Sequence, residues 1–165
     1  MGDIPLIADE WRDGLAQAET RAFSWRADAR LIELGVACAP LEPAFRWRGT
    51  FYSNSAQSFF LTDTGQSRPA EVDPASVVTL PREQVTFAEL HRALARAGYA
   101  DDSMLGATSG ITVRLNVTSD RFGPPETPDG VVFHVVADDG RGANDLFVSA
   151  TDWLVRTYSG RPASG

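Results

Sequence analysis

The sequence predicts an α+β protein in which helices pack on antiparallel β-sheet. Three observations predict it: an amphipathic segment with helix signals at both ends, several segments of alternating apolar and polar residues, and one order of elements that occurs twice. That order is a helix and then three strands, so we expect two similar halves. A duplication and a chance recurrence both explain it. The expected division is an N-terminal half at 1–66, a connection at 67–82, a C-terminal half at 83–158 and a tail at 159–165.

The composition excludes several classes of chemistry. With 165 residues the chain suffices for one medium domain or two small halves that share a core. A formal net charge of -7 disfavours non-specific binding to nucleic acid, so we expect no nucleic-acid partner. All 15 residues counted as Lys+Arg are arginines, because the sequence contains no lysine. This excludes a catalytic Schiff base, pyridoxal phosphate attachment and the lysine of a phosphate-binding loop.

Cys38 is the only cysteine, which excludes an intrachain disulfide and a thiolate metal cluster within one chain. We predict neither a cofactor nor a metal. The sequence shows no basic leader followed by an apolar stretch, and no apolar run approaches the roughly 20 residues that cross a bilayer. We therefore expect no membrane span and a cytoplasmic location, or an extracytoplasmic one if a leader has been removed.

The first half begins with a helix predicted from Asp9 to about Ala22, with Asp9 as its N-cap. Its apolar face repeats at helical spacing and comprises Ile7, Trp11, Leu15, Ala18 and Ala22.

Three strands are expected to follow, at 30–37, 44–52 and 57–63. In the first, the residues expected to share one face are Ile32, Leu34 and Val36. In the second, Phe45, Trp47 and Phe51 alternate with the polar set Arg46, Arg48, Thr50 and Tyr52. This is typical of a strand with one buried face.

The connection at 64–74 is rich in turn-forming residues, and a short strand is expected at 76–80. A second helix is then predicted between Val85 and Gly98. Thr86 and Glu89 have the spacing of a capping box, and Gly98 provides a left-handed residue at the other end. The apolar stripe of this helix requires a sheet or another helix to cover it, and it comprises Phe87, Leu90, Leu94 and Ala97.

The second half contains the most regular strand of the sequence, at 111–118. Its apolar row is Ile111, Val113, Leu115 and Val117, and we expect this row to face the second helix. Three prolines predict a loop at 121–130. Further strands are expected at 131–137, 145–150 and 153–158, the first two joined by a hairpin loop.

The last of these segments resembles a known family. VVFHVVADDGRGANDLFVSATDWLVR, at 131–156, is similar to the closing hairpin of PepSY-like domains, and ETRAFSWRADARLIEL loosely fits their opening helix and strand. The resemblance implies a cystatin-like fold, possibly in tandem, with a helix on a curved sheet. It implies a role in binding, inhibition or regulation, often outside the cytoplasm, and it carries over no catalytic residues.

Arg46, Arg48 and Tyr52 are the best candidates for a binding surface, because they are expected to share the polar face of one strand. Arginine and tyrosine are favoured at interface hot spots, and arginine suits carboxylate or phosphate. A solvated sheet face that discourages edge pairing explains the same pattern.

His134 is the second candidate, in a valine-rich strand and on the face opposite Phe133. Acid–base chemistry with Asp63 or Asp138 is conceivable, but no spacing fixes their distance. His134 and His91 lack metal-binding spacing, and His91 is expected to be a half-buried histidine beside the helix stripe. We predict no catalytic residue and no metal site.

The sequence favours a non-enzymatic module of regulatory or inhibitory type that binds a protein or peptide. Two alternatives stay open. One is an immunity-type neutraliser of a toxin, consistent with the small size and acidity of the chain. The other is a small-molecule enzyme or carrier with a pocket between helix and sheet around His134. The sequence leaves the oligomeric state open.

Overall fold

The computed structural model describes residues 4–38, 45–98, 108–118, 120–138 and 143–158. Within these residues the chain forms two α-helices, eight β-strands and two short 3-10 turns. The helices are α1 (Ile4–Trp25) and α2 (Phe87–Arg96), and the turns lie at Pro74–Ser76 and Arg82–Gln84. The strands are β1 (Arg30–Cys38), β2 (Phe45–Ser53), β3 (Ser58–Leu61), β4 (Gln66–Pro69), β5 (Thr108–Asn116), β6 (Gly130–Asp138), β7 (Ala143–Ser149) and β8 (Val155–Arg156).

All eight strands belong to one antiparallel sheet, in the order β4-β3-β2-β1-β5-β6-β7-β8. The N-terminal and C-terminal strands join along β1 and β5, where Leu34 pairs with Val113 and Val36 pairs with Ile111. The prediction of two cystatin-like halves, each a helix with its own three strands, is therefore wrong. Alternation within a strand indicates which residues are buried but not which strands pair, so the sequence pattern did not reveal the shared sheet.

Both helices cover one face of this sheet, and the core lies between them and the strands. Phe87 of α2 is at its centre, with ring-centroid distances of 5.7 Å to Trp11, 5.7 Å to Trp47 and 5.6 Å to Phe133. The predicted apolar face of the first helix is confirmed where side chains are described, since its buried residues are Trp11, Leu15, Ala18 and Ala22. The apolar row of β5 also enters this core through Ile111 and Val113.

The ends of the helices differ from expectation in their side-chain contacts. Thr86 is the N-cap of α2 and Gly98 has a φ of 85°, so the predicted start and end of this helix are confirmed. The capping box is wrong, because the Thr86 side chain makes no capping hydrogen bond and Glu89 pairs with Arg92 instead. Asp9 lies inside α1, which begins at Ile4. Neither of the described helices is long and apolar enough to cross a membrane.

The strands near β1 and β4 differ from expectation, and a register shift in β1 places Ile32 on the face of the sheet opposite the helices. The register of β1 shifts between Leu31 and Glu33, so Leu31, Leu34 and Val36 are buried in the core while Ile32 leaves this row. The expected shared face of Ile32, Leu34 and Val36 is therefore wrong at Ile32. Residues expected in the connection form β4 at Gln66–Pro69, and the strand expected at 76–80 is absent from the described strands.

Candidate functional site

The face of the sheet that points away from the helices, here called the outer face, is only partly covered. The segment 72–78 crosses it over β1 to β3, and Phe122 and Tyr158 contact Phe147 on β7. Between these two covers lies a depression of about 660 Å³. We call it the glycine depression, because Gly35 of β1 and Gly110 of β5 are among the residues that line it.

Cross-strand register explains this depression. Gly35 pairs with Arg48 on one side and Thr112 on the other, and Gly110 pairs with Val136. Paired residues of adjacent strands point to the same face of a sheet, so two positions without side chains fall in one region of the outer face. Gly110 is half-buried, so the main chain of β5 is partly accessible there, whereas Gly35 is buried next to the Arg48 side chain.

A row of ion pairs borders the glycine depression at one end. The Glu33 carboxylate lies between two guanidinium groups, 3.8 Å from Arg48 Nη2 through Oε1 and 3.8 Å from Arg114 Nε through Oε2. Arg114 also donates a 3.2 Å hydrogen bond to Asp120 Oδ2. Glu33 is therefore the shared anion of two arginines, and both contacts are longer than a good hydrogen bond. The Arg48 side chain is 43% exposed, which leaves it accessible to a partner.

His134 borders the depression at the other end. Its Nε2 lies 2.7 Å from Asp145 Oδ1, and its ring stacks on Phe147 with a centroid distance of 4.5 Å and an interplanar angle of 3°. Phe122 meets the rings of both His134 and Phe147 edge to face. The histidine ring is therefore held in one orientation by a carboxylate and two aromatic rings.

Of the predicted binding residues, Tyr52 is buried and the Arg46 side chain lies outside the described residues. Tyr52 lies on the outer face with Arg48, as the alternation predicts, but it is fully buried beneath Arg30, whose guanidinium carbon is 5.4 Å from its ring centroid. Tyr52 therefore lies below any surface that a partner contacts. Arg46 pairs with Ala37 in the β1–β2 register, and its side chain is outside the described residues.

His134 contacts Asp145, a carboxylate that was not predicted as its acid–base partner. Asp145 is its partner across the β6–β7 pair, where Asp145 is opposite Val136 and diagonal to His134. Asp63 also lines the glycine depression, whereas the Asp138 side chain is outside the described residues. In the part of the chain that the structure describes, no three histidine, cysteine or acidic side chains gather as metal ligands.

Some site residues could not be identified from the sequence pattern. Gly35 and Gly110 have meaning only once the register of β1 and β5 is known, and Phe122 comes from a proline-rich loop that was expected to be irregular. The alternation in β2 and β6 correctly indicated the face of Arg48 and His134.

Comparison with known proteins gives little further information. No protein-family model and no curated protein matches the chain. Among solved structures, a putative lipoprotein from Clostridium difficile is similar, with a TM-score of 0.48 and 10% sequence identity over 87% of this chain and 90% of that one. A likeness at this level carries no argument about function. The resemblance to PepSY-like domains remains a prediction.

Proposed function

We propose that the protein is a non-enzymatic binding module whose outer sheet face contacts a peptide or a protein segment. The glycine depression carries this proposal. It is an open, preformed concavity of about 660 Å³ in the middle of a sheet, and the described helices lie on the other side. Recognition sites are concave and combine a few polar groups with apolar surface.

The groups around the depression suit a peptide. Gly110 allows a partner chain to approach β5 closely, and Arg48, next to Gly35, provides a half-exposed guanidinium at the edge. Arginine pairs well with a carboxylate, and the long contact to Glu33 leaves it able to turn toward one. His134 and Val136 add a flat, partly apolar wall.

The two alternatives differ in how they fit this geometry. The helix–sheet pocket expected around His134 does not fit this geometry, because His134 lies on the outer face. Between the helices and the sheet, Phe87 of α2 packs against Trp11 and Trp47. Toxin neutralisation is one form of protein binding, and it would use the same outer face.

A capture experiment with matched variants tests the proposal. The tagged protein is used to recover partners from an extract, and recovery is compared for Arg46→Ala, Arg48→Ala, Gly35→Val and the control Arg92→Ala. A Cβ at Gly35 would meet Arg48 side-chain atoms at 3.6 Å, an ordinary contact, so the first atom of a side chain fits there, and the melting temperature of Gly35→Val checks that the fold is kept. Arg92 lies on α2, on the helical side, with a side chain that is 61% exposed.

We expect Arg48→Ala and Gly35→Val each to lower the affinity for the captured partner by roughly tenfold or more, as hot-spot residues do. Arg92→Ala should bind as the wild type does. A partner that binds Arg48→Ala and Gly35→Val with unchanged affinity would show that the outer face is not the binding surface.

A further inference from the structure

A second cavity, of about 280 Å³, lies on the outer face beyond the row of ion pairs. It lies between the strands and the segment 72–78, which we call the roof segment, and it is partly open to solvent. Its floor includes Ile32, Thr50 and Phe59, and its roof includes Val77 and Val78. Ile32 reaches this floor because the register shift in β1 turns it away from the core. Apolar side chains therefore lie on both sides of the cavity, together with the polar side chains of Thr50 and Ser76.

The roof segment is held in place by Arg30. The Arg30 guanidinium donates a 2.7 Å hydrogen bond to the Val77 carbonyl oxygen and a 3.3 Å bond to the Pro74 carbonyl oxygen. It also donates a 2.9 Å bond to Thr79 Oγ1. Just beyond the roof, the Leu80 N–H donates to the Leu31 carbonyl oxygen at 2.8 Å, which fastens the chain to β1. A roof with this many fixed points is preformed, so a ligand would not have to order it.

The charged side chains that line this cavity are Glu33, Asp120, Arg68 and Arg114. Two carboxylates, Glu33 and Asp120, contact two guanidinium groups, those of Arg48 and Arg114. Arg68 of β4 lines the same cavity from the position opposite Phe59. Arg68 forms no ion pair with any residue that the structure describes. The cavity therefore combines apolar surface on its floor and roof with one arginine, Arg68, that forms no ion pair with the described residues.

We propose that this cavity binds a small amphipathic carboxylate, with its apolar body against Ile32 and Phe59 and its carboxylate paired with Arg68. Arginine presents parallel N–H donors that match the two oxygens of a carboxylate. The volume of about 280 Å³ is at the lower end of ligand pockets, so it suits a short aliphatic or single-ring acid. This site is separate from the glycine depression and does not depend on the peptide-binding proposal.

Titration calorimetry with three probes of equal chain length tests this assignment: octanoate, 1-octanol and octylammonium. We expect octanoate to bind, octanol to bind more weakly and octylammonium not to bind. Arg68→Gln should lower the affinity for octanoate by roughly tenfold and leave that for octanol nearly unchanged. Thr50→Phe fills the floor and should abolish binding of both, whereas the control Arg92→Gln should change neither.

The exposed position of Arg68 makes its variant safe for the fold, so the test does not rest on Thr50→Phe alone. The proposal is overturned if octylammonium binds as tightly as octanoate, or if Arg68→Gln leaves octanoate binding intact. A peptide terminus presents the same chemistry, so acetyl-Gly-Gly-Leu is a fourth probe. Its binding without any binding of octanoate would assign the cavity to a chain terminus and reject the small-molecule ligand.

Discussion

Asp28 joins the connection after α1 to the turn between β2 and β3. Its carboxylate accepts hydrogen bonds from Ser53 Oγ at 2.6 Å, from the Ser55 N–H at 2.8 Å and from Ser55 Oγ at 3.0 Å. The Ser53 and Ser55 donors lower the pKa of Asp28 from its ordinary value of 3.8. Charged acceptors form stronger hydrogen bonds than neutral ones, so the ionised form favours the folded state.

The lowered pKa of Asp28 predicts a pH dependence of stability. A carboxylate with a lower pKa in the folded state contributes its full stabilisation above the unfolded pKa, and the contribution is lost as the pH falls through the folded pKa. Asp28→Asn should therefore lower the melting temperature at pH 7, and the deficit should shrink when both proteins are melted at pH 3 and below.

The control for this measurement is Asp13→Asn. Asp13 is an exposed carboxylate of α1 with no hydrogen bond to other described residues, so its variant should melt like the wild type at both pH values. A deficit of Asp28→Asn that is equally large at pH 3 and pH 7 would show that the loss comes from packing and not from the ionised carboxylate.

Helix α1 packs against β2 through a glycine. A Cβ built at Gly14 would lie 2.5 Å from Trp47 Cδ1 and Cγ and 3.0 Å from Trp47 Cβ, closer than side-chain atoms normally approach. Trp47 is itself held against Phe87 of α2 at a ring-centroid distance of 5.7 Å. The absence of a side chain at Gly14 is therefore what lets α1 lie on the sheet at this point.

Gly14→Ala separates helix propensity from packing. Replacing glycine by alanine at an exposed position inside a helix stabilises the helix by about 1 kcal/mol, so helix propensity alone predicts that Gly14→Ala stabilises the protein. We expect the opposite, a loss of roughly 1–3 kcal/mol in the free energy of unfolding, because the added methyl group forces Trp47 to move. Urea unfolding measures the difference, and Gln17→Ala on the exposed side of α1 is the control. A Gly14→Ala variant as stable as the wild type would contradict this view of the helix–sheet contact.

Elements were largely predictable from the sequence where local patterns decide, and less so where tertiary contacts decide. The apolar stripe of α2 and Gly98 at its end are local features: Gly98 and the buried Phe87, Leu90 and Leu94 were predicted correctly, whereas Ala97 is the C-cap and is only partly buried. The Thr86 side chain forms no capping hydrogen bond, and Glu89, the other member of the predicted capping box, pairs with Arg92. Strand β4 has an entirely exposed sequence with no alternation, and it exists because it pairs with β3. A strand of this kind has no hydrophobic pattern to detect.

The two groups of four strands form one sheet through the pairing of β1 with β5, two strands that are far apart in the sequence. β1 and β5 join the first four strands to the last four, and their contact is long range in sequence. Periodicity indicated the buried face of each strand, and thus the outward direction of Arg48 and His134. It did not indicate that Gly35 and Gly110 meet between them, because strand pairing is decided by the assembled core. The face of the candidate site was therefore predictable and its centre was not.

A shared sheet predicts that the chain unfolds as one unit. Two tryptophans can report the two sides of the β1–β5 contact: Trp47 on β2 packs against Phe87, and Trp153, after β7, lies 6.0 Å from Phe133 between ring centroids. In variants that keep only Trp47 or only Trp153, with phenylalanine at the other tryptophan positions, the fluorescence midpoint in urea should coincide with the far-ultraviolet circular dichroism midpoint of the same variant.

Adding Val113→Ala to both variants sharpens this test. Val113 is 1% exposed and pairs with Leu34 across the contact, so removing two buried methyl groups should cost about 2 kcal/mol. Because one sheet transmits the loss to both ends, the Trp47 and Trp153 transitions should move to lower urea by the same amount. A shift seen by Trp153 alone, with the Trp47 transition unmoved, would mean that the two groups of strands unfold independently despite the backbone hydrogen bonds between β1 and β5.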